Sequence, residues 1–189
     1  QARFWASSYE DKRPELTNAQ RKMLSHYDNA TLYNDSIVAQ IVKRFQKQDA
    51  IVIYVPDHGE ECYEENRGFI CRNHSAEIDW PLAHYEFEIP FWIYCSPKYI
   101  RNHRDIYRQI RKAKDKRFMT DALPHLLLYL AGIETHTYKE EYNILSPKYD
   151  EMRPRILKNS ADYDKLRDAH LEKIKKEESK KVKKKERRN

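Results

Sequence analysis

The sequence predicts an α/β fold, and three observations carry that prediction. Helical periodicity runs through much of the first fifty residues, two short apolar runs rich in β-branched and aromatic residues follow at 50–55 and 90–95, and a compact apolar helix comes after the second. The order helix, buried strand, loop, buried strand, helix points to a layered sheet, expected to be largely parallel. Two strands are few for such a sheet, so a further portion of the fold is expected outside these residues.

Each element has a local reason. Residues 1–16 lack a clear period and are expected as loop. Thr17 and Gln20 then stand at the spacing of a capping box, in which each side chain bonds the other's backbone N–H. Met23, Tyr27 and Ala30, and then Ile37, Val38, Ile41, Val42 and Phe45, continue one helical stripe. That helix is expected to end near Gln48. "AIVIYV" (50–55) is apolar at both parities, the mark of a strand covered on both faces. Pro56 has no N–H to offer a ladder and helps end it. Residues 59–86 read as one long loop with a turn at Gly68. "PFWIYC" (90–95) reads as a second buried strand entered at Pro90, and 96–116 as a charged, partly helical excursion. Thr120 is expected to cap "DALPHLLLYLAG", with Pro124 in its first turn and Gly132 just past its end. Residues 142–157 look irregular, and from Tyr163 onward the chain is helix-prone and nearly all charged.

Composition narrows the function. The chain has 189 residues, 40% hydrophobic and 35% charged, with a mean hydropathy of -0.99. No run of about 18 apolar residues exists, so nothing in the sequence reads as a membrane span. No signal peptide is evident, and the first residue is Gln1, which suggests a fragment or a processed product. The net charge of +6 is unevenly placed. Residues 173–189 hold ten basic and three acidic side chains, whereas the rest holds 26 basic and 27 acidic and is nearly neutral. A nucleic-acid-binding domain carries its basic patch on the folded face, and the tail has no aromatic side chain after Tyr163 for base stacking. Nucleic acid is therefore not an expected partner. The tail reads as a solvated charge run, helical or disordered, or as a segment drawn to an anionic lipid surface.

The candidate site begins at "PDHGEE" (56–61). Ligands of open α/β folds collect at the carboxyl ends of strands, and Asp57 and His58 lie there. Neighbouring side chains of a regular strand point to opposite faces, so both reach one ion only if the chain turns, which Gly59 would allow through unusual dihedrals. A carboxylate with an imidazole suits zinc better than calcium or magnesium, which prefer oxygen. A turn-capping Asp beside a surface His would give the same letters. Glu60 and Glu61 read as exposed acids after the turn, or as groups touching the site.

"HYDNATLYNDSIVAQIVKRF" (26–45) followed by "DAIVIYVPDHGEE" (49–61) resembles the alkaline phosphatase and sulfatase superfamily, and within it the bacterial phosphoethanolamine transferases that modify lipid A or other lipopolysaccharide sugars. "EIPFWIYCS" and "MTDALPHLLLYLAGIET" match that family in order and spacing, and the likeness covers roughly residues 10–150. It implies a three-layer α/β/α sandwich, of which 1–162 would be the C-terminal part and 163–189 a charged tail. It implies zinc held by Asp57 and His58. The calcium-dependent sulfatases usually carry Asp-Asn there, so the imidazole favours phosphoryl transfer. It also implies a phospho-Thr intermediate whose nucleophile and remaining ligands lie upstream, a phospholipid donor and a lipopolysaccharide-type acceptor. An inner-membrane anchor preceding this segment and a periplasmic catalytic domain complete the implied picture. A sulfatase or phosphodiesterase of the same superfamily, and a non-catalytic module binding anionic partners through the tail, are the alternatives.

The family places a further His on the transferred phosphoryl group or a second zinc. His74, in "CRNHSAE", is the preferred match and His84 the competitor. Cys62 and Cys71 flank the same loop. In an oxidising periplasm a bridge between them would close about ten residues, a constraint worth roughly 2–3 kcal/mol. The alternative is a second zinc site from Cys62, Cys71 and His74, which lacks a fourth ligand at a standard spacing. Cys95 reads as a small core hydrophobe.

Overall fold

The computed structural model describes residues 2–71 and 77–186. Its two compact units are Gln1–Tyr54 with Trp92–Arg104, and Val55–Phe91 with Asp105–Asn189.

The first unit is built on helix α1 (Asn18–Phe45). The capping box forms as the spacing predicts: the Gln20 N–H donates to Thr17 Oγ1 at 3.3 Å, and the Thr17 N–H donates to Gln20 Oε1 at 2.8 Å. The stretch before it is not plain loop. It contains a 3-10 turn, Ala6–Tyr9, and is tied to α1 by Asn29, which accepts the Arg3 and Phe4 N–H groups and donates to the Phe4 carbonyl. The apolar stripe of α1 is only partly covered among the described residues. Leu24 is buried, but Ile37 and Ile41 remain 37% and 43% exposed.

Strand β1 (Ile51–Tyr54) pairs with a strand spanning Trp92–Cys95, and the pairing is antiparallel, from Ile51 opposite Cys95 to Tyr54 opposite Trp92. The expected parallel sheet is therefore not what joins these two runs. Apolarity at both parities reports cover on two faces and carries no information on direction. Ser96, fully buried, organises the exit. Its hydroxyl donates to the Gln48 carbonyl at 2.6 Å and accepts the Ala50 N–H and the Tyr99 N–H, the last capping a short helix at Pro97–Asn102.

In the second unit, the expected long loop contains two elements. Strands β2 (Glu61–Cys62) and β3 (Phe69–Cys71) form a hairpin, turned near Gly68 at φ +95°, whose carbonyl accepts the Tyr63 N–H. Helix α2 (Trp80–Phe87) follows, capped by the Asp79 carboxylate on the Leu82 N–H at 3.0 Å. Both escape a sequence reading for physical reasons. Strands of two or three residues carry no period, and "WPLAHYEF" is apolar around most of its circumference. The strand Trp92–Cys95 is β4, the helix Pro97–Asn102 is α3, and helix α4 (Arg104–Ala113) continues the chain.

Helix α5 (Leu123–Leu130) is preceded by a 3-10 turn at Thr120–Ala122, so Thr120 opens that turn and does not cap the helix. Its end is as predicted. Gly132 sits at φ +66°, and the Ile133 and Gly132 N–H groups bond the Leu128 and Tyr129 carbonyls, a Schellman motif. The strands β5 (Ile156–Leu157) and β6 (Ala161–Asp162) form a tight hairpin with Lys158 and Asn159 at positive φ. Helix α6 (Tyr163–Glu186) carries the basic run as far as residue 186. No helix among the described residues is long and apolar enough to cross a membrane.

The core of this unit joins α2, β5 and α6 through Ala83, Leu157 and Tyr163, with Trp80 and Leu166 against them. Asp164 anchors the start of α6. It accepts Arg155 Nη2 at 2.5 Å, is also bonded by Arg117, and has Arg167 Nη1 at 3.6 Å. The Arg155 bond and the surrounding guanidinium charge hold its carboxyl below the usual range. A depressed carboxyl stabilises the fold above its unfolded pKa, about 3.9, and loses that effect as pH falls through the folded value. Asp164→Asn is expected to cost roughly 2 kcal/mol at pH 7, short of the ~3–5 kcal/mol for breaking a fully buried pair. The gap to the parent should shrink below about pH 4 in thermal melts. A gap that does not depend on pH would contradict the assigned role.

Candidate metal-binding cavity

Asp57 and His58 follow the last residue of β1 by three and four positions. Their side chains do meet. Asp57 Oδ1 accepts the His58 backbone N–H at 3.1 Å, and Asp57 Oδ2 lies 3.4 Å from His58 Nε2. The other ring nitrogen, Nδ1, is 2.8 Å from the Gly59 carbonyl oxygen. A carbonyl only accepts, so Nδ1 is the ring nitrogen that donates to it, and Nε2 is the one on the Asp57 side. This is how metal-binding imidazoles are commonly held, with the far nitrogen donating to a backbone carbonyl. The Asp57 side chain is 83% exposed and the His58 side chain 26%. One oxygen and one nitrogen thus converge at the surface, a donor set that fits zinc.

Gly59 plays a different part from the one its type suggests. Its φ is not in the left-handed region; the glycines that are there are Gly68 and Gly132. Instead, its N–H donates to the Glu86 carbonyl at 2.8 Å, and a Cβ built on it would lie 2.2 Å from the Tyr85 carbonyl oxygen. The missing side chain lets the loop backbone lie directly on the backbone of α2.

Glu61 also departs from expectation. It is fully buried, not exposed. Arg67 Nε is 2.5 Å from Glu61 Oε1, while Arg67 Nη1 bonds the carboxylate of Asp79. Burial pushes the Glu61 carboxyl up, against the pull of the Arg67 charge. No local pattern announces this pair, because its partners sit six residues apart across a hairpin.

The Asp57–His58 pair borders a cavity of about 700 Å³ together with the end of α2 at Glu86, Phe87 and Glu88. Five cationic side chains line it too: Lys114, Lys116, Arg117, Arg155 and Lys158. Arg117 and Arg155 divide their charge with Asp164. Tyr163 lines the same cavity, with its ring under the Arg155 guanidinium at 4.3 Å and its hydroxyl donating to Glu88. Burial and that bond push the Tyr163 hydroxyl up to about 12, so it remains a proton donor at neutral pH. For Glu88, burial pulls upward, yet the bonds from Tyr163 and His84 prevail and hold its carboxyl below the usual range. Sequence reasoning missed this wall, since its members come from 114–117 and 155–163 and converge only in three dimensions.

His74 lies outside the described residues, as does the side chain of Cys71, and with them the Cys62–Cys71 bridge and the second zinc site. Cys62 itself is buried. His84 is engaged elsewhere, with Nδ1 3.0 Å from Glu88 Oε1 and its ring stacked on Trp80 at 5.3 Å. Cys95 is buried, and burial pushes its thiol up, as suits a core residue. Among the described residues no three His, Cys, Asp or Glu side chains cluster to hold a metal. Zinc usually takes four ligands, of which Asp57 and His58 could supply two.

The Gly59 contact yields a direct prediction. In Gly59→Ala the new Cβ overlaps a backbone atom that cannot rotate away, an overpacking that costs about 1–3 kcal/mol. The thermal midpoint should drop by several degrees, about 2–8 °C. An unchanged melt would mean that the loop is not held against α2.

The model of the Sulfatase family matches residues 3–133. Phosphoethanolamine transferase EptC of Escherichia coli K12 is 30% identical over 141 residues, covering 73% of this chain and 23% of the relative. Kdo(2)-lipid A phosphoethanolamine 7''-transferase of the same strain is 31% identical over 97 residues, or 50% of this chain and 16% of the relative. Among solved structures, the C-terminal periplasmic domain of E. coli EptC in complex with Zn superposes with a TM-score of 0.66 at 26% identity, covering 85% of this chain and 46% of that one. The corresponding domain from Campylobacter jejuni has a TM-score of 0.54 at 22% identity and covers 74% of this chain and 42% of that one, a likeness of fold. The chain therefore spans about a sixth to a quarter of these relatives and about half of the solved E. coli domain. Its fold class is the α/β, alkaline-phosphatase-like one of those domains. Residues 3–133 carry the family's pattern over most of the chain, and the chain belongs to the sulfatase family.

Proposed function

We propose that this chain forms part of a zinc-dependent phosphoethanolamine transferase, taking the group from a phospholipid donor and passing it to a lipopolysaccharide-type acceptor. The observation that carries this reading is the arrangement of His58. Its Nδ1 faces the Gly59 carbonyl, which leaves Nε2 beside Asp57 at the edge of a cavity rich in Lys and Arg. The likeness to phosphoethanolamine transferases and the zinc in a related solved structure support it.

Zinc, when bound, polarises a phosphoryl oxygen and favours the alkoxide of a hydroxyl nucleophile. Asp57 and His58 would be two of its ligands, the Gly59 carbonyl holding His58 in the tautomer that ligation needs. The cationic wall suits the charge on both substrates. Lys114, Lys116 and Lys158 bring positive charge for phosphate oxygens, with Lys116 also bonded to the Ile144 carbonyl, and Arg117 and Arg155 bring planar forks partly committed to Asp164. Glu88, held ionised by Tyr163 and His84, offers an acceptor for the ammonium of an ethanolamine group. His74 is assigned the contact with the transferred phosphoryl group. The threonine that would carry the covalent phosphoryl group is assigned to residues upstream of this chain, as are the other metal ligands. The proposed setting is a periplasmic catalytic domain on a membrane anchor.

In the full-length protein, His58→Ala and Asp57→Ala are expected to lower transfer from phosphatidylethanolamine to lipid A by more than about 100-fold, beyond the loss typical of an outer-shell partner. Mass spectrometry of the acceptor reads the product. Chelation should abolish transfer and zinc should restore it. Turnover at the parent rate in either variant would overturn the assignment.

A further inference from the structure

Taking Asp57 and His58 as metal ligands, as proposed above, we infer that Arg67 is a positioning residue for them, acting through Glu61 and helix α2. The loop that carries both ligands is fastened to α2 at two separate points. Near the end of the helix, the Gly59 N–H bonds the Glu86 carbonyl at 2.8 Å with the two backbones in direct contact. At its start, the Asp79 cap is bonded to Arg67. Arg67 in turn places Nε 2.5 Å from Glu61 Oε1, and Glu61 is only three residues past His58.

One attachment fixes where a loop lies, whereas two fix its direction. With Gly59 alone, the segment 57–61 can pivot about its bond to Glu86. The second tie, from Glu61 through Arg67 to Asp79, removes that pivot, because Glu61 is fully buried and cannot swing into solvent. Arginine is suited to the task. Its guanidinium presents Nε and Nη on different edges of a rigid plane and so engages two carboxylates at a set angle. A lysine ammonium keeps the charge but is a point donor on a flexible stem. Glu86, whose carbonyl anchors Gly59, also lines the cavity with Asp57 and His58. The same helix therefore sets both the ligand loop and one wall of the site.

The test is zinc affinity, measured on the full-length protein by competition with a chromophoric chelator, for the parent, Arg67→Lys and His58→Ala. Near-UV circular dichroism on the same samples gives the folded fraction. The expected result is that Arg67→Lys keeps its folded signature yet binds zinc about 10–100-fold more weakly, as outer-shell losses do, while His58→Ala loses more. Should Arg67→Lys fail to fold, Glu61→Gln with Arg67→Gln takes its place, since it leaves no single charge buried. Parent-like zinc affinity per folded molecule in the Arg67 variant, even with a lowered melting temperature, would overturn the inference and leave the ion pair purely structural. Parent-like affinity in His58→Ala would instead overturn the metal assignment itself.

Discussion

The contact of Gly59 with the backbone of α2 is the constraint on which the candidate site rests. A hydrogen bond to the Glu86 carbonyl and the absence of a Cβ against the Tyr85 carbonyl bring loop and helix closer than side chains would allow. From that contact the rest follows. The Gly59 carbonyl holds the His58 ring, the ring nitrogen left over faces Asp57, and both stand at the mouth of the cavity. Glycine here serves close approach, not conformational freedom.

The second theme is how the unit manages buried charge. Three carboxylates of the unit are matched to a guanidinium or a hydroxyl: Glu61 to Arg67, Asp164 to Arg155 and Arg117, and Glu88 to Tyr163. Such matching avoids the several kcal/mol that an unpaired buried charge costs. Lys114, Lys116 and Lys158 add positive charge along the cavity, the Lys116 ammonium also donating to the Ile144 carbonyl. The site thus combines a surface carboxylate–imidazole pair with a basic wall, and the phosphoryl chemistry proposed for it needs both.

What was legible in the sequence is what short-range geometry determines. Thr17 with Gln20, and Gly132 after Leu130, announce a helix start and stop because their partners lie within five residues. Asp57 and His58 are adjacent, so their meeting needed only a turn. The fold class was legible as well, from the alternation of helical and strand-like runs. Other features depend on distant partners. Gly59 makes sense only once α2, more than twenty residues later, is in place. Arg117 and Asp164 are 47 residues apart and share no pattern. The antiparallel direction of β1 and β4 was hidden because a run that is apolar at both parities reads the same in either direction. Glu61 looked exposed because an acid after a turn usually is, and only the hairpin that carries Arg67 reverses that.

The central claim, that Asp57 and His58 hold the catalytic metal, is tested most directly by zinc-edge anomalous diffraction from crystals of the full-length protein or its catalytic domain grown with zinc. The account predicts a peak about 2.0–2.2 Å from His58 Nε2 and from an Asp57 carboxylate oxygen. A well-occupied zinc peak that neither residue touches would contradict it.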